Sequence, residues 1–206
     1  GLVYDAKNLA FILPAGKYIG NSRYKDVFAA SAMADLTSFR NHWGAETSLD
    51  VELYRPVARY ELVAKDVATF LNKLSTGGLK GESFTARVKY SDYLPTGYNL
   101  WDDVPKNSLM YMEYKVAFER PADGTKDLQL GFDYVLTDAG ETVPIPVELE
   151  ILNEKNEVLA RTAFRIPCER GKNTTVRGNF LTSDANGGIG IDPDYDGDLE
   201  VDLGEL

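Results

Sequence analysis

The sequence predicts an all-β protein, an antiparallel β-sandwich with one short helix. From Ser48 onward, short apolar-alternating runs recur between clusters of Gly, Pro, Asn and Asp, roughly seven or eight of them with a single helical run among them. The whole chain carries twelve Tyr and nine Phe, residue types that β structure favours. Strands in series with turns between them specify a sandwich, not a parallel sheet interleaved with helices.

The length, 206 residues, allows one large domain or one full domain with part of another. The boundary falls near Ser48. Residues 1–48 read as an N-terminal segment, the remnant of a first β domain or a stretch leaning on the sandwich. Residues 49–206 read as the C-terminal sandwich.

Leu9 to Leu13 is a short apolar run stopped by Pro14 and Gly16, as a strand would be. The Ala-rich stretch after it places Val27, Phe28, Ala32 and Leu36 near helical spacing, which suits a short helix or a loop with a strand. Leu49, Val51 and Leu53 alternate, and the alternation continues from Val57 to Ala64, with a bend expected at Pro56 because proline cannot donate to a sheet ladder. Asp66 is placed to cap a helix bearing Phe70, Leu71 and Leu74 on one side, ended by Gly77 and Gly78.

Phe84, Ala86, Val88 and Tyr90 share one face at period two and predict a half-buried strand. Further strands are expected within 108–121 and from Asp127 to Leu136. Val147, Leu149 and Ile151 should pair with Val158, Ala160 and Thr162 in a hairpin whose loop is the polar Asn153 to Asn156. The penultimate strand begins at Thr174, and Leu199, Val201 and Leu203 close the sandwich. No internal repeat, low-complexity tract or flexible linker is present.

The charge and motifs narrow the function. A net charge of −10 with no basic stripe excludes nucleic acid as a partner. No run approaches the roughly 20 apolar residues of a membrane helix. Gly1 leads directly into the chain with no basic start or apolar core, so an exported protein of this sequence would be a mature or trimmed form.

The single cysteine, Cys168, excludes an internal disulfide and reads as a small buried side chain. The single histidine, His42, would have to carry any catalytic triad, and nothing near it in sequence offers a nucleophile with a fixed base. Glu148 and Glu150 should share the outward face of a strand, which does not suit a glycosidase pair across a cleft. Phosphate-loop, dinucleotide and nucleophile-elbow motifs are missing from the sequence, so no enzyme, cofactor or metal is assigned.

Two sites remain open. Asp192 to Asp198 has the D-x-D-x-D-G spacing of a calcium loop but lacks a carboxylate at the twelfth position, Leu203, and reads first as a solvated turn, with a weak calcium site the minor alternative. Tyr93, Tyr98 and Trp101 cluster in a turn-rich stretch, where aromatics either pack a loop onto the sandwich or form a ligand platform.

YRPVARYELVAKD from Tyr54 and NTTVRGNFLTSDANGGIGIDPDYDGDLEVDL from Asn173 resemble segments of the fimbrillin-like surface proteins of Bacteroidales. SDYLPTGYNLWDD from Ser91 resembles that family's link between early strands of its C-terminal domain. The resemblance covers residue 48 to the end. It implies transthyretin-like, Greek-key sandwich domains, export as a lipoprotein to the outer membrane and cell surface, and a part in fimbriae, pili or adhesion. Its implied partners are other fimbrial subunits or further copies, joined by strand addition, with a host or glycan ligand. The chain departs from the family in lacking most of the first domain and a lipidation cysteine near its start.

Overall fold

The computed structural model describes residues 2–5, 8, 11–14, 16–42, 44–183 and 199–202. Among these residues the chain forms twelve strands and one α-helix. The strands are β1 (Leu2–Tyr4), β2 (Phe11–Pro14), β3 (Val57–Ala64), β4 (Ser83–Tyr90), β5 (Leu94–Asn99) and β6 (Val104–Leu109). After them come β7 (Glu113–Glu119), β8 (Leu128–Leu136), β9 (Thr142–Asn153), β10 (Val158–Glu169), β11 (Asn173–Gly178) and β12 (Leu199–Asp202). The helix α1 spans Val67–Ser75.

Two four-stranded sheets, ordered β10-β9-β4-β7 and β12-β11-β3-β8, make the sandwich. Strand β4 shows why: its residues alternate buried and half-buried, so Phe84, Ala86, Val88 and Tyr90 all reach the core. They meet Ala58, Tyr60, Leu62 and Ala64 of β3, Leu149 and Ile151 of β9, and Phe70 of α1. Each large side chain so buried stabilises the fold by roughly 1.5–3 kcal/mol. The expected hairpin forms, with Ala160 opposite Ile151 and Thr162 opposite Leu149.

A third sheet, ordered β1-β2-β5-β6, packs on the other face of β3 and β8. Ile12 and Tyr98 from this sheet meet Val57, Tyr134 and Leu136. Strands β4 and β7 are neighbours, and the chain between them leaves the sandwich to make the β5–β6 hairpin. Gly97 makes that sheet's close approach feasible: a Cβ there would lie 2.8 Å from the Ile12 carbonyl oxygen.

Residues before 48 are tied to the later chain. β2 pairs with β5, and Asn21 seals the edge of β8 in both directions. Its backbone N–H donates to the Phe132 carbonyl at 3.1 Å, while its side-chain oxygen accepts the Phe132 N–H at 3.2 Å.

The expectations of a strand at Leu49–Leu53 and of a helix cap by Asp66 are corrected. Leu49, Val51 and Leu53 form no strand and are exposed, because no neighbouring edge takes them. Of the two alternatives for the Val27–Leu36 stretch, the α-helix does not form: single turns form at Arg23–Lys25 and Thr37–Phe39, Ala29 makes an isolated bridge to Tyr54, and Phe28 and Leu36 stay exposed. Asp66 sits before α1 but makes no capping bond to it. Its carboxylate instead accepts the Leu181 N–H at 3.0 Å and the Thr182 hydroxyl at 2.7 Å, fastening the chain beyond β11. One pairing also departs from a wholly antiparallel sandwich: β11 runs parallel to β3, since the chain reaches β11 from the far sheet by way of β10.

Candidate functional site

The first site is an edge. β11 is bound on one side by β3 over the length of the strand, from Asn173 opposite Arg59 to Gly178 opposite Ala64. Its other side is covered by the four residues of β12, antiparallel, with Asn173 opposite Asp202 and Val176 opposite Leu199. β12 is the last strand of its sheet. Thr174 and Val176 of β11 are buried, so the strand that β12 covers belongs to the core.

The second site is the aromatic stretch, and the three residues do not form one platform. Tyr93 and Trp101 are exposed, at opposite ends of β5. The six residues of β5 that separate them, at about 3.3 Å per strand residue, span roughly 20 Å. Tyr98 is fully buried. Its hydroxyl donates to Asp103 at 2.7 Å and accepts from Arg170 at 3.0 Å, and Arg170 reaches both Asp103 oxygens at 2.8 and 2.7 Å. The Arg170 guanidinium also lies 4.7 Å from the Tyr54 ring centre. Burial and the neighbouring Asp103 push the Tyr54 hydroxyl up to about 12. The group ties the β5–β6 turn to the turn before β11. Trp101 lines a shallow depression with Ser31, Ala32 and Met33.

A third arrangement lies inside the sandwich and has no counterpart in the sequence motifs. Asp133 of β8, its side chain fully buried, accepts the Tyr90 hydroxyl at 2.7 Å and the Tyr18 hydroxyl on Oδ2. Lys25 Nζ stands 2.5 Å from the other oxygen, Oδ1. Tyr60 links the group onward, 2.7 Å from the Tyr90 hydroxyl and 3.2 Å from that of Tyr114. Burial drives all four phenols well above their ordinary values, with the Asp133 charge adding to the effect. Burial also lowers Lys25, against the attraction of Asp133. Tyr60 and Tyr90 are legible in the sequence as inward strand residues. Lys25 and Asp133 are not, because nothing in local spacing joins residues so far apart in the chain.

On the outer face of the other sheet, Glu150 has a side chain with no exposure. It accepts Arg161 at 2.6 Å and lies 2.9 Å from Lys89, with Arg87 bound to it as well. Burial alone would raise it, but hydrogen bonds from Lys89, Arg87 and Arg161 outweigh that and hold it at about 2. Glu148 is drawn into the same network by Lys89. Both carboxylates share the outward face, as the strand pattern predicts, and are ion-paired there with Arg87, Lys89 and Arg161.

His42 is exposed, and Cys168 is buried, its thiol raised by burial to about 12. Among the described residues no three His, Cys, Asp or Glu side chains converge as metal ligands, and no helix is long and apolar enough to cross a membrane. The Asp192–Asp198 run lies outside the described residues.

The fold and these arrangements define a β-sandwich protein whose N-terminal segment is strapped to the sandwich. Residues 1–204 match the model of a family described as a family of unknown function (DUF6562), and the chain belongs to that family. No curated protein matches it. It is similar to a solved structure of a candidate cell adhesion protein from Bacteroides ovatus ATCC 8483 at 13% identity and a TM-score of 0.36, over 73% of this chain and 46% of that one. A second such protein, from Parabacteroides distasonis ATCC 8503, matches at 12% identity and a TM-score of 0.39, over 72% of this chain and 52% of that one. A third, from Bacteroides eggerthii DSM 20697, matches at 12% identity and a TM-score of 0.34, over 74% and 56%. The chain spans about half the length of each.

Proposed function

We propose that the chain is a non-enzymatic surface protein, a fimbrial or adhesive subunit that joins further copies or related subunits by β-strand addition. In this reading the full-length precursor is exported and held at the outer membrane by a lipid. The observation that carries it is the β11 edge. A core strand closed on one side by a four-residue strand offers main-chain hydrogen bonds to any strand that replaces it. The resemblance of the segments from Tyr54 and Asn173 to fimbrillin-like proteins supports the same reading. The test is light scattering on the full chain and on a chain ending at Asp198, with a synthetic peptide of residues 199–206. Concentration-dependent oligomers from the full chain, and peptide uptake by the shortened one, are expected. Monomers throughout, with no uptake, would overturn the reading.

A second reading, a carbohydrate-binding surface, is favoured by the exposure of Trp101 beside Met33. It predicts glycan binding that Trp101→Ala abolishes with the fold intact. A glycan array blank for the unaltered chain removes it.

A further inference from the structure

We propose that Lys25 and Asp133 condense to an intramolecular isopeptide bond, joining Nζ to Cγ and stapling the N-terminal segment to β8. The geometry is that of reactants held together. Nζ and Oδ1 stand 2.5 Å apart, with the Asp133 side chain fully buried and that of Lys25 only 18% exposed. Both atoms are buried, and neither has a hydrogen-bond partner among the described residues beyond this contact. The other carboxyl oxygen is held by two phenols, Tyr18 and Tyr90. The ring of Tyr18 covers the amine, 4.4 Å from Nζ to the ring centre.

Each part has a chemical role. In a dry site an ammonium–carboxylate pair loses most of its advantage over the neutral amine and acid, because both charges forfeit hydration. A proton passing from Nζ to Oδ1 across their contact therefore frees the amine lone pair beside a protonated carboxyl. Burial already pulls Lys25 towards the neutral form. The amine then attacks Cγ, and negative charge gathers on Oδ2, where the Tyr18 and Tyr90 hydroxyls donate; preorganised donors at a developing oxyanion lower such barriers. Holding the two groups in one pocket supplies the effective concentration. A second proton leaves Nζ for the departing oxygen, the Cγ–Oδ1 bond breaks, and water is released. From ammonium and carboxylate the products are one secondary amide and one water. No oxidant, metal or cofactor is consumed.

This bond does not depend on strand addition and would form in a monomer. The test is intact mass spectrometry of the full chain, freshly purified and after incubation at neutral pH, with peptide mapping of the product. The expected mass is one water below the sequence mass, with fragment spectra joining the Lys25 peptide to the Asp133 peptide. Lys25→Arg keeps the cation without a condensable amine and should restore the full mass. Replacing both Tyr18 and Tyr90 by Phe should slow the loss of water severalfold. A wild-type chain at its full sequence mass after incubation overturns the proposal. So does a loss of water that persists in Lys25→Arg, which would place the dehydration at an Asp-Gly step such as Asp123-Gly124.

Discussion

Gly20 lies against the ring of Tyr114: a Cβ at Gly20 would stand 2.5 Å from Cγ and 2.6 Å from Cβ of that tyrosine. The strap that carries Tyr18 and Lys25 therefore needs a residue without a side chain where it crosses β7. Gly20→Ala must displace either the strap or a core tyrosine that accepts a hydrogen bond from Tyr60. The expected loss is about 2 kcal/mol of unfolding free energy, typical of overpacking. Guanidinium titration measures it, and a midpoint equal to wild type would show that the strap shifts freely.

Asp66 should matter through Leu181, not through the helix. Asp66→Ala leaves the buried Leu181 N–H without its acceptor, at an expected cost of about 1–3 kcal/mol. Helix content by circular dichroism should stay unchanged, because no capping bond to α1 is lost. A variant as stable as wild type would contradict this.

Glu150 sets an acid limit on stability. Its folded-state value of about 2 lies below the ordinary 4.5, so its contribution is complete above pH 4.5 and disappears as pH falls towards 2. Glu150→Gln should be less stable than wild type at pH 6, by an amount on the order of 2 kcal/mol. The gap should close between pH 4.5 and 2. Urea unfolding across that range provides the check. A gap constant with pH would mean that the cations around Glu150 act only by packing.

The two kinds of aromatic in the β5 region should separate cleanly. Trp101→Ala removes an exposed ring and should change stability by no more than about 0.5 kcal/mol. Tyr98→Phe removes a buried hydroxyl bound by Asp103 and Arg170 and should cost about 1–2 kcal/mol. Thermal unfolding of both variants decides, and equal shifts would refute the distinction.

These residues also show how much is legible in the sequence. The face of Phe84, Ala86, Val88 and Tyr90, and the hairpin that joins β9 to β10, come from period two and turn chemistry, which act locally, whereas the bulge between Val158 and Ala160 that sets its register does not. Leu49, Val51 and Leu53 show the limit of that signal: alternation marks a segment able to pair, and whether an edge awaits it is a property of the whole fold. Asp66 stands before α1 as the local pattern predicts, yet its carboxylate goes to a partner 115 residues away. The Lys25–Asp133 contact is of the same kind. Two charged residues in a chain rich in charge carry no local mark of burial, because their partners are brought by the crossing of the strap over β8.

The parallel pairing of β11 with β3 places Arg59 beside Asn173, 114 residues later in the chain. At ribosomal rates of roughly 5–20 residues per second, one edge of β3 waits about ten seconds for its neighbour to be made. Pairings this distant also close slowly once made, since loop entropy must be overcome before any contact rewards it. Closure of this sheet therefore waits on β11, and an open edge of β3 is presented to the surroundings until then.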